Sequence, residues 1–134
     1  MTTNIPSTIE LFKADSFVAP EAPAARLVLS NDTDPREHSL EGIAVVELQF
    51  PKFNDGRAFS QAFLLRRRLG FAGHIRATGD VLIDQLLQMQ RSGFTQAVLR
   101  ADQDTDHGRR LLGLYDDFYQ GDAVDTKPHF ASAD

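Results

Sequence analysis

The chain has 134 residues, of which 42% are hydrophobic and 25% are charged, a composition typical of one globular domain. It contains no cysteine, which excludes disulfides, thiolate metal sites and cysteine-ligated clusters carried by this chain alone. Its first ten residues lack a basic region followed by an apolar run, and no apolar stretch approaches the length of a transmembrane helix. We therefore expect a cytoplasmic protein that is not associated with a membrane.

The net charge of −5 is unevenly distributed. Residues 51–100 contain eight Lys or Arg and three Asp, which is 8 − 3 = +5, so the remainder carries −5 − 5 = −10. An acidic protein is a poor general binder of nucleic acid. Its basic middle nevertheless allows a local site for a small anion or an acidic partner.

The N-terminal part of the chain shows little regular patterning. Residues 1–25 contain three prolines and many small side chains, which predicts an arm or loop, with a short helix or strand as an option near Ile9–Phe12. Residues 26–30 predict a short strand. We place one α/β domain at residues 26–120 and a C-terminal tail at 121–134.

Clear periodicity begins in the next segment. Residues 43–50 (IAVVELQF) are almost entirely apolar, which predicts a strand covered on both faces. Asn54 or Asp55 is predicted to cap a first helix. The apolar spacing of that helix continues on its core side to Leu69, with the arginines at 66–68 mostly outward.

Two further strands and two helices follow. Residues 74–78 predict a strand, and Asp80 is predicted to be the N-cap of a second helix that ends at Gly93. Residues 95–99 predict another strand, and residues 102–120 a last helix. The predicted buried face of the last helix contains Leu111, Leu114, Tyr115 and Phe118.

Strands that alternate with helices of this length require parallel pairing with crossover connections. We therefore expect a single small α/β domain with a βαβαβα core. Its sheet should contain about four mostly parallel strands flanked by helices.

Ligands of parallel α/β folds bind outside the carboxyl ends of the strands. Three segments should meet there, at residues 51–57, 78–80 and 100–102. The candidate anion-binding residues on or near this rim are Lys52, Asp55, Gly56, Arg57, Ser60, Gln61, Arg76, Gly79, Asp80, Gln85 and Arg100. The alternative is that the aspartates are ordinary caps tied down by the arginines, and that the polar residues of the early helix turns face solvent.

Other chemistry has no support in the motifs. The four histidines are dispersed and lack the spacing of metal ligands, so we predict no metal site. No GxSxG, GxGxxG or phosphate-loop pattern occurs. We expect no cofactor held by this chain, and any redox cofactor would have to come from a partner.

One ordered series of motifs resembles a known family. It comprises residues 50–57 (FPKFNDGR), Ser60-Gln61, residues 64–66, Arg76-Ala77, residues 79–82, residues 84–86, Gln90-Arg91 and Gly93-Phe94. The series resembles the signature of a bacterial family of unknown function whose genes typically lie beside those for sulfite reductase. Members are usually labelled as oxidoreductases of sulfite reduction. This chain departs from the family pattern at Phe59, where an aromatic hydroxyl is common, and at Ser92, where a cysteine is common.

The resemblance implies an accessory protein of assimilatory sulfate and sulfite reduction. Such a protein would bind a small oxyanion, or sulfite reductase itself, at the strand-end rim. Two alternatives stay open. One is a stand-alone enzyme acting on a sulfur-containing anion, with Asp55 or Asp80 as the acid–base group. The other is a non-catalytic interaction subunit.

Overall fold

The computed structural model describes residues 8–54 and 56–115, with side chains up to residue 113. Five parallel strands form one sheet in the order β1-β5-β4-β3-β2. The strands are β1 (Glu10–Lys13), β2 (Arg26–Leu29), β3 (Val45–Phe50), β4 (His74–Gly79) and β5 (Gln96–Leu99). The helices are α1 (Arg57–Phe63), α2 (Leu86–Ser92) and α3 (Thr105–Tyr115). None of the helices in these ranges is long and apolar enough to span a membrane.

The order of the strands dictates which face of the sheet the helices cover. From β2 to β5 the chain always moves one position in the same direction, so right-handed crossovers place these connections on one face. Buried side chains of all three helices share one apolar core with the strands. That core includes Leu11, Leu29, Val46, Leu48, Phe50, Phe59, Leu65, Ile75, Leu86, Met89, Leu99 and Leu112.

The connection from β1 to β2 runs the opposite way, from one edge of the sheet to the other. The same handedness places this connection, residues 14–25, on the second face. We call residues 14–25 the crossing segment. It contacts the second face through Phe17 and Glu21, which both lie against Arg76 of β4.

The predicted fold class is confirmed: the structure is a small α/β domain with a parallel sheet flanked by helices. The sheet has five strands instead of about four because β1 lies within residues 1–25, which we predicted as an arm or loop with a short helix or strand as an option near Ile9–Phe12; the strand option is confirmed. Strand formation there has a physical reason. Leu11 enters the core, while Phe12 on the other face packs on Phe17 with ring centroids 4.9 Å apart.

The prediction that residues 43–50 are covered on both faces holds at Val45, which is buried on the second face, and is wrong at Gln49. Val46, Leu48 and Phe50 enter the core, but Glu47 and Gln49 lie on the second face. Gln49 is exposed there. The side chains of β3 alternate between the core and the second face, and those on the second face become polar toward the end of the strand.

The first helix also differs from its prediction. α1 begins at Arg57 with Gly56 as the N-cap residue and without a side-chain cap, so Asn54 does not cap it; Asp55 lies outside the described residues. A π-helical turn at Leu64–Arg68 follows α1. This wider turn changes the phase of the helix, and Leu69 is therefore 37% exposed instead of facing the core.

Arg67 and Arg68 are exposed, as predicted for most of the arginines at 66–68, but Arg66 points inward. Its guanidinium donates to the carbonyl oxygens of Gly93 (2.9 Å), Phe71 (2.8 Å) and Gly73 (2.6 Å). Burial lowers the pKa of Arg66 to about 10. This arginine therefore satisfies backbone carbonyls where the chain leaves the π-helical turn.

The later helices begin further along the chain than predicted. A short 3₁₀ turn at Ile83–Gln85 leads into α2, and Gly93 ends α2 with a φ of 111°, as its position predicted. α3 begins at Thr105. The side chain of the preceding residue, Asp104, accepts hydrogen bonds from the amides of Asp106 and His107. The rest of the predicted last helix, the side chains of Leu114, Tyr115 and Phe118, and the tail at 121–134 lie outside the described parts of the chain.

Candidate functional site

The carboxyl ends of β3, β4 and β5 form one rim, which is where the sequence placed the site. The Asp80 amide donates to the carbonyl oxygen of Phe50 at 2.8 Å and so joins the ends of two strands. Gly79 makes this approach possible, because it has a φ of +99° and a Cβ at this position would collide with the Phe50 carbonyl. Gly79 is therefore required by the backbone of the rim.

Asp80 connects two loops and does not cap a helix, which corrects our prediction. Its Oδ2 accepts from the amide of Phe53 at 2.8 Å, and its Oδ1 accepts from Nη1 of Arg100 at 2.7 Å. The hydrogen bond from Arg100 and that from the Phe53 amide lower the pKa of Asp80. The carboxylate stays ionised and acts as a hydrogen-bond acceptor that fixes the loop after β3.

Arg100 lies between two carboxylates. Besides Asp80, it binds Asp102 through Nε at 3.0 Å and Nη2 at 2.6 Å. These hydrogen bonds raise the pKa of Arg100. Two aspartates and one arginine leave this part of the rim with a net negative charge, which disfavours an incoming anion.

The remaining basic candidates are Lys52, on the loop after β3, and Arg57, the first residue of α1. Lys52, Gly56, Arg57 and Ser60 are exposed. The charge of Arg57 contributes to a lowered pKa of Asp32, although the hydrogen bond from Ser30 contributes most. Lys52 and Arg57 give the rim a basic outer corner.

Two glutamines have different roles from those we considered. Gln61 is buried, and its Nε2 donates to the carbonyl oxygens of Ser30 (2.8 Å) and Thr33 (2.7 Å), so it holds the loop after β2. A solvent-facing role for Gln61 is therefore wrong. Gln85 is half-buried at the end of the 3₁₀ turn that precedes α2, and its Oε1 has no hydrogen-bond partner among the described residues.

Arg76 does not lie on the rim. It is the third residue of β4, is 1% exposed, and lies on the second face under the crossing segment. Its guanidinium donates to both carboxylate oxygens of Glu21 (2.8 and 2.9 Å) and to Glu47 (2.7 Å). It also donates to Gln96 (2.9 Å) and lies 4.7 Å from the ring centroid of Phe17.

Two carboxylates, those of Glu21 and Glu47, compensate the charge of Arg76. Burial by itself would lower the pKa of Arg76, but the hydrogen bonds to Glu21 and Glu47 outweigh burial and raise that pKa. The same contact with Arg76 lowers the pKa of Glu21. Four of the five N–H groups of this guanidinium have partners and the side chain is 1% exposed, so Arg76 is not accessible to a ligand on the rim.

The concave part of the rim is a cleft of about 430 Å³ beside the ends of β2, β3 and β4. Its lining residues are Ser30, Asn31, Gln49, Phe50, Pro51, Thr78 and Gly79. Gly79 is the one member of our predicted set in this lining. Pro51 and Thr78 belong to the segments that we predicted to meet at the rim, but Gln49 was not predicted there, although its position near the strand end, out of phase with the core residues, signalled a second-face location.

None of the residues that line this cleft is charged. Hydroxyl, amide and apolar groups suit a neutral surface better than a small anion. In the described ranges, no group of three or more His, Asp or Glu could hold a metal ion.

The fold and the rim define a small parallel α/β domain with an uncharged cleft at its strand-end rim. The chain belongs to the family described as bacterial protein of unknown function (DUF934), which it matches over residues 26–130. The matched range begins at β2, so β1 and the crossing segment lie outside it. Neither the curated proteins nor the solved structures contain a match to this chain.

Proposed function

We propose that this protein is an accessory protein of assimilatory sulfate and sulfite reduction that binds sulfite reductase through its strand-end rim. The metabolic context comes from the resemblance of residues 43–100 to a family encoded beside sulfite reductase genes. The preference for a protein partner over a small oxyanion comes from the charges of the rim. Arg76 and Arg100 are each paired with two carboxylates of this chain.

The observation that carries the docking proposal is a bare area on the second face of the sheet. Parallel sheets are normally covered on both faces. Here the helices of the described chain cover one face, and the crossing segment reaches Arg76 on the other. Beside that contact, Val28 is 45% exposed and Gln49 is exposed. We call the area of Val28, Gln49 and Thr78 the open face.

The open face continues into the uncharged cleft, because Gln49 and Thr78 belong to both. The basic outer corner comprises Lys52 on the loop that follows β3 and Arg57 at the start of α1. An apolar and amide centre with charged residues at its margin matches the anatomy of a protein–protein interface. Charge at the margin would select an acidic partner surface and speed association.

The enzyme alternative has less support. Asp80 was one of its two candidate acid–base groups, but its carboxylate accepts from Arg100 and from a backbone amide, and its pKa is lowered. A general acid or base near neutral pH needs the opposite environment. The other candidate, Asp55, lies outside the described residues.

A direct binding measurement tests the proposal. Purified sulfite reductase of the same bacterium is immobilised, and binding of this protein is followed by interferometry. We expect Val28→Arg and Gln49→Arg each to weaken binding by about tenfold or more, because a charge enters the centre of the interface. Phe63→Arg is the matched control, since Phe63 is 43% exposed on α1, which covers the opposite face of the sheet.

Equal binding by all variants, or no binding by the unmodified protein, would reject reductase docking at the open face. A thermal-shift series with sulfite, sulfate and phosphate tests the oxyanion alternative in parallel. Stabilisation that is lost in Lys52→Ala would favour that alternative. Deletion of the gene should impair growth on sulfate and sulfite and be rescued by sulfide.

A further inference from the structure

β1 is an edge strand, and in the described sheet it pairs with β5 alone. The amide of Glu10 donates to Thr95 and that of Ala14 donates to Leu99, so even-numbered residues turn their backbone groups toward β5. The backbone amide and carbonyl groups of Leu11 and Lys13 consequently face the open edge of the sheet. The Lys13 carbonyl accepts from the amides of Ser16 and Phe17. Within the described ranges, the Leu11 and Lys13 amides and the Leu11 carbonyl have no hydrogen-bond partner.

A cleft of about 470 Å³ follows this edge. The crossing segment forms one wall and the first turns of α3 form the other. The lining residues are Leu11, Phe12 and Lys13 of β1; Ser16, Phe17, Val18 and Pro20 of the crossing segment; and Thr105 and Arg109 of α3. We call this cleft the edge groove.

The α3 wall of the edge groove is basic. Lys13 is in register with Leu99, so it lies on the helix-covered face, the same side as Arg109. These two are the charged residues of the lining. Arg109 also contacts Asp106 at 3.0 Å, but both side chains are more than half exposed, and such pairs exchange partners at little cost.

The wall formed by the crossing segment is apolar. Phe12 is in register with Val98 on the second face and packs on Phe17. Val18 is 82% exposed beside them. A strand added to β1 would alternate between the two walls, because successive side chains point to opposite faces.

We propose that the edge groove binds an extended segment of another protein, which adds to the sheet as a strand beside β1. The segment alternates acidic residues, directed toward Lys13 and Arg109, with apolar residues, directed toward Phe17 and Val18. Backbone hydrogen bonds to Leu11 and Lys13 supply sequence-independent affinity, and the two walls supply specificity. A second copy of this chain fits less well, because pairing β1 with β1 brings the basic residues of both copies along one edge.

This site is separate from the open face, which lies toward β2 at the other edge of the sheet. It can therefore be tested without reference to the proposed function. The probe is a short fluorescent peptide that alternates glutamate and valine, acetylated and amidated at its ends. The control peptide alternates lysine and valine, and binding is read by fluorescence anisotropy.

The decisive variant is Lys13→Pro. The Lys13 amide points to the open edge, so proline removes a donor for the added strand without removing a bond to β5. We expect Lys13→Pro to weaken binding of the glutamate–valine peptide by more than tenfold. Lys13→Ala and Arg109→Gln should each weaken it by about threefold to tenfold. Arg68→Ala, which changes an exposed arginine outside the groove, should have no effect.

Three results would overturn the proposal. The first is equal binding of the two peptides, or binding of neither. The second is unchanged affinity in a folded Lys13→Pro protein. The third is a dimer of the unmodified protein that Lys13→Pro dissociates, which would make a second copy the occupant. If Lys13→Pro does not fold, unchanged affinity in both Lys13→Ala and Arg109→Gln overturns the proposal instead.

Discussion

Arg76 and Arg100 lie on neighbouring parts of the same sheet, and each contacts two carboxylates. Their surroundings differ sharply. The Arg76 side chain is 1% exposed and its two glutamates 9% and 12%, whereas the Arg100 side chain is 42% exposed and Asp102 59%. Buried charges depend on each other because the interior solvates them poorly, while exposed charges retain water as an alternative partner. The pairing of Arg76 with its two glutamates therefore stabilises the fold, whereas the pairing of Arg100 with its two aspartates fixes only a loop.

The largest effect that follows from this contrast is expected for Arg76→Met. Methionine retains much of the apolar volume but removes the main cation of Glu21 and Glu47. We expect the free energy of unfolding to fall by about 3 kcal/mol, the lower end for a broken buried pair, because Glu21 retains its longer contact with Arg26 at 3.7 Å. Urea denaturation measures the change.

Arg68→Met is the matched control, because Arg68 is exposed on the π-helical turn. It should leave the unfolding midpoint unchanged. Similar loss of stability in both variants would show that the cluster around Arg76 has no special role.

An intermediate effect on the stability of the fold is expected when the pH is lowered. The hydrogen bond from Arg76 lowers the pKa of Glu21 below its ordinary value of 4.5. A lowered pKa in the folded state means that the ionised Glu21 stabilises the fold above pH 4.5 and that this contribution disappears as the pH falls further. Unfolding curves of the unmodified protein and of Glu21→Gln should therefore converge in acid and separate toward neutral pH.

The measurement is the difference in unfolding midpoint between these two proteins across the acidic range. Taking a difference cancels the titration of other carboxylates. A constant difference at every pH would contradict the assignment of this pH dependence to Glu21.

The smallest effect on stability is expected for Arg100→Ala. Asp80 and Asp102 remain hydrated when the guanidinium is removed, so the midpoint of thermal unfolding should change far less than in Arg76→Met. The local loop should respond instead. Hydrogen exchange of the Phe53 amide, which donates to Asp80, should become faster.

The contrast also explains how far the sequence could predict the structure. The positions of β3, β4 and β5 were predictable because each is a local apolar run. The polar cluster had a local signal as well. Glu47, Arg76 and Gln96 interrupt three consecutive strands, and they occupy matching register positions in the sheet.

Other features depended on distant parts of the chain. Glu21, which pairs with Arg76, lies 55 residues away in a segment without periodicity. Asp80 had the local properties of a helix cap, but Arg100, 20 residues later, and the Phe53 amide determined its role. The π-helical turn after the first helix rotates Leu69 out of the core, and the spacing of the apolar residues gave no indication of that turn.

The position of β1 has a consequence for the synthesis of the chain. Its partner is β5, and the side chains of Glu10 and Gln96 that meet across this pair are 86 residues apart. β1 is translated before β5 and must therefore wait until β5 has emerged from the ribosome before the two can pair. During translation, Leu11, Phe12 and Phe17 remain uncovered. We expect β1 to dock last, because closing so long a loop is the slowest step that topology imposes on this sheet.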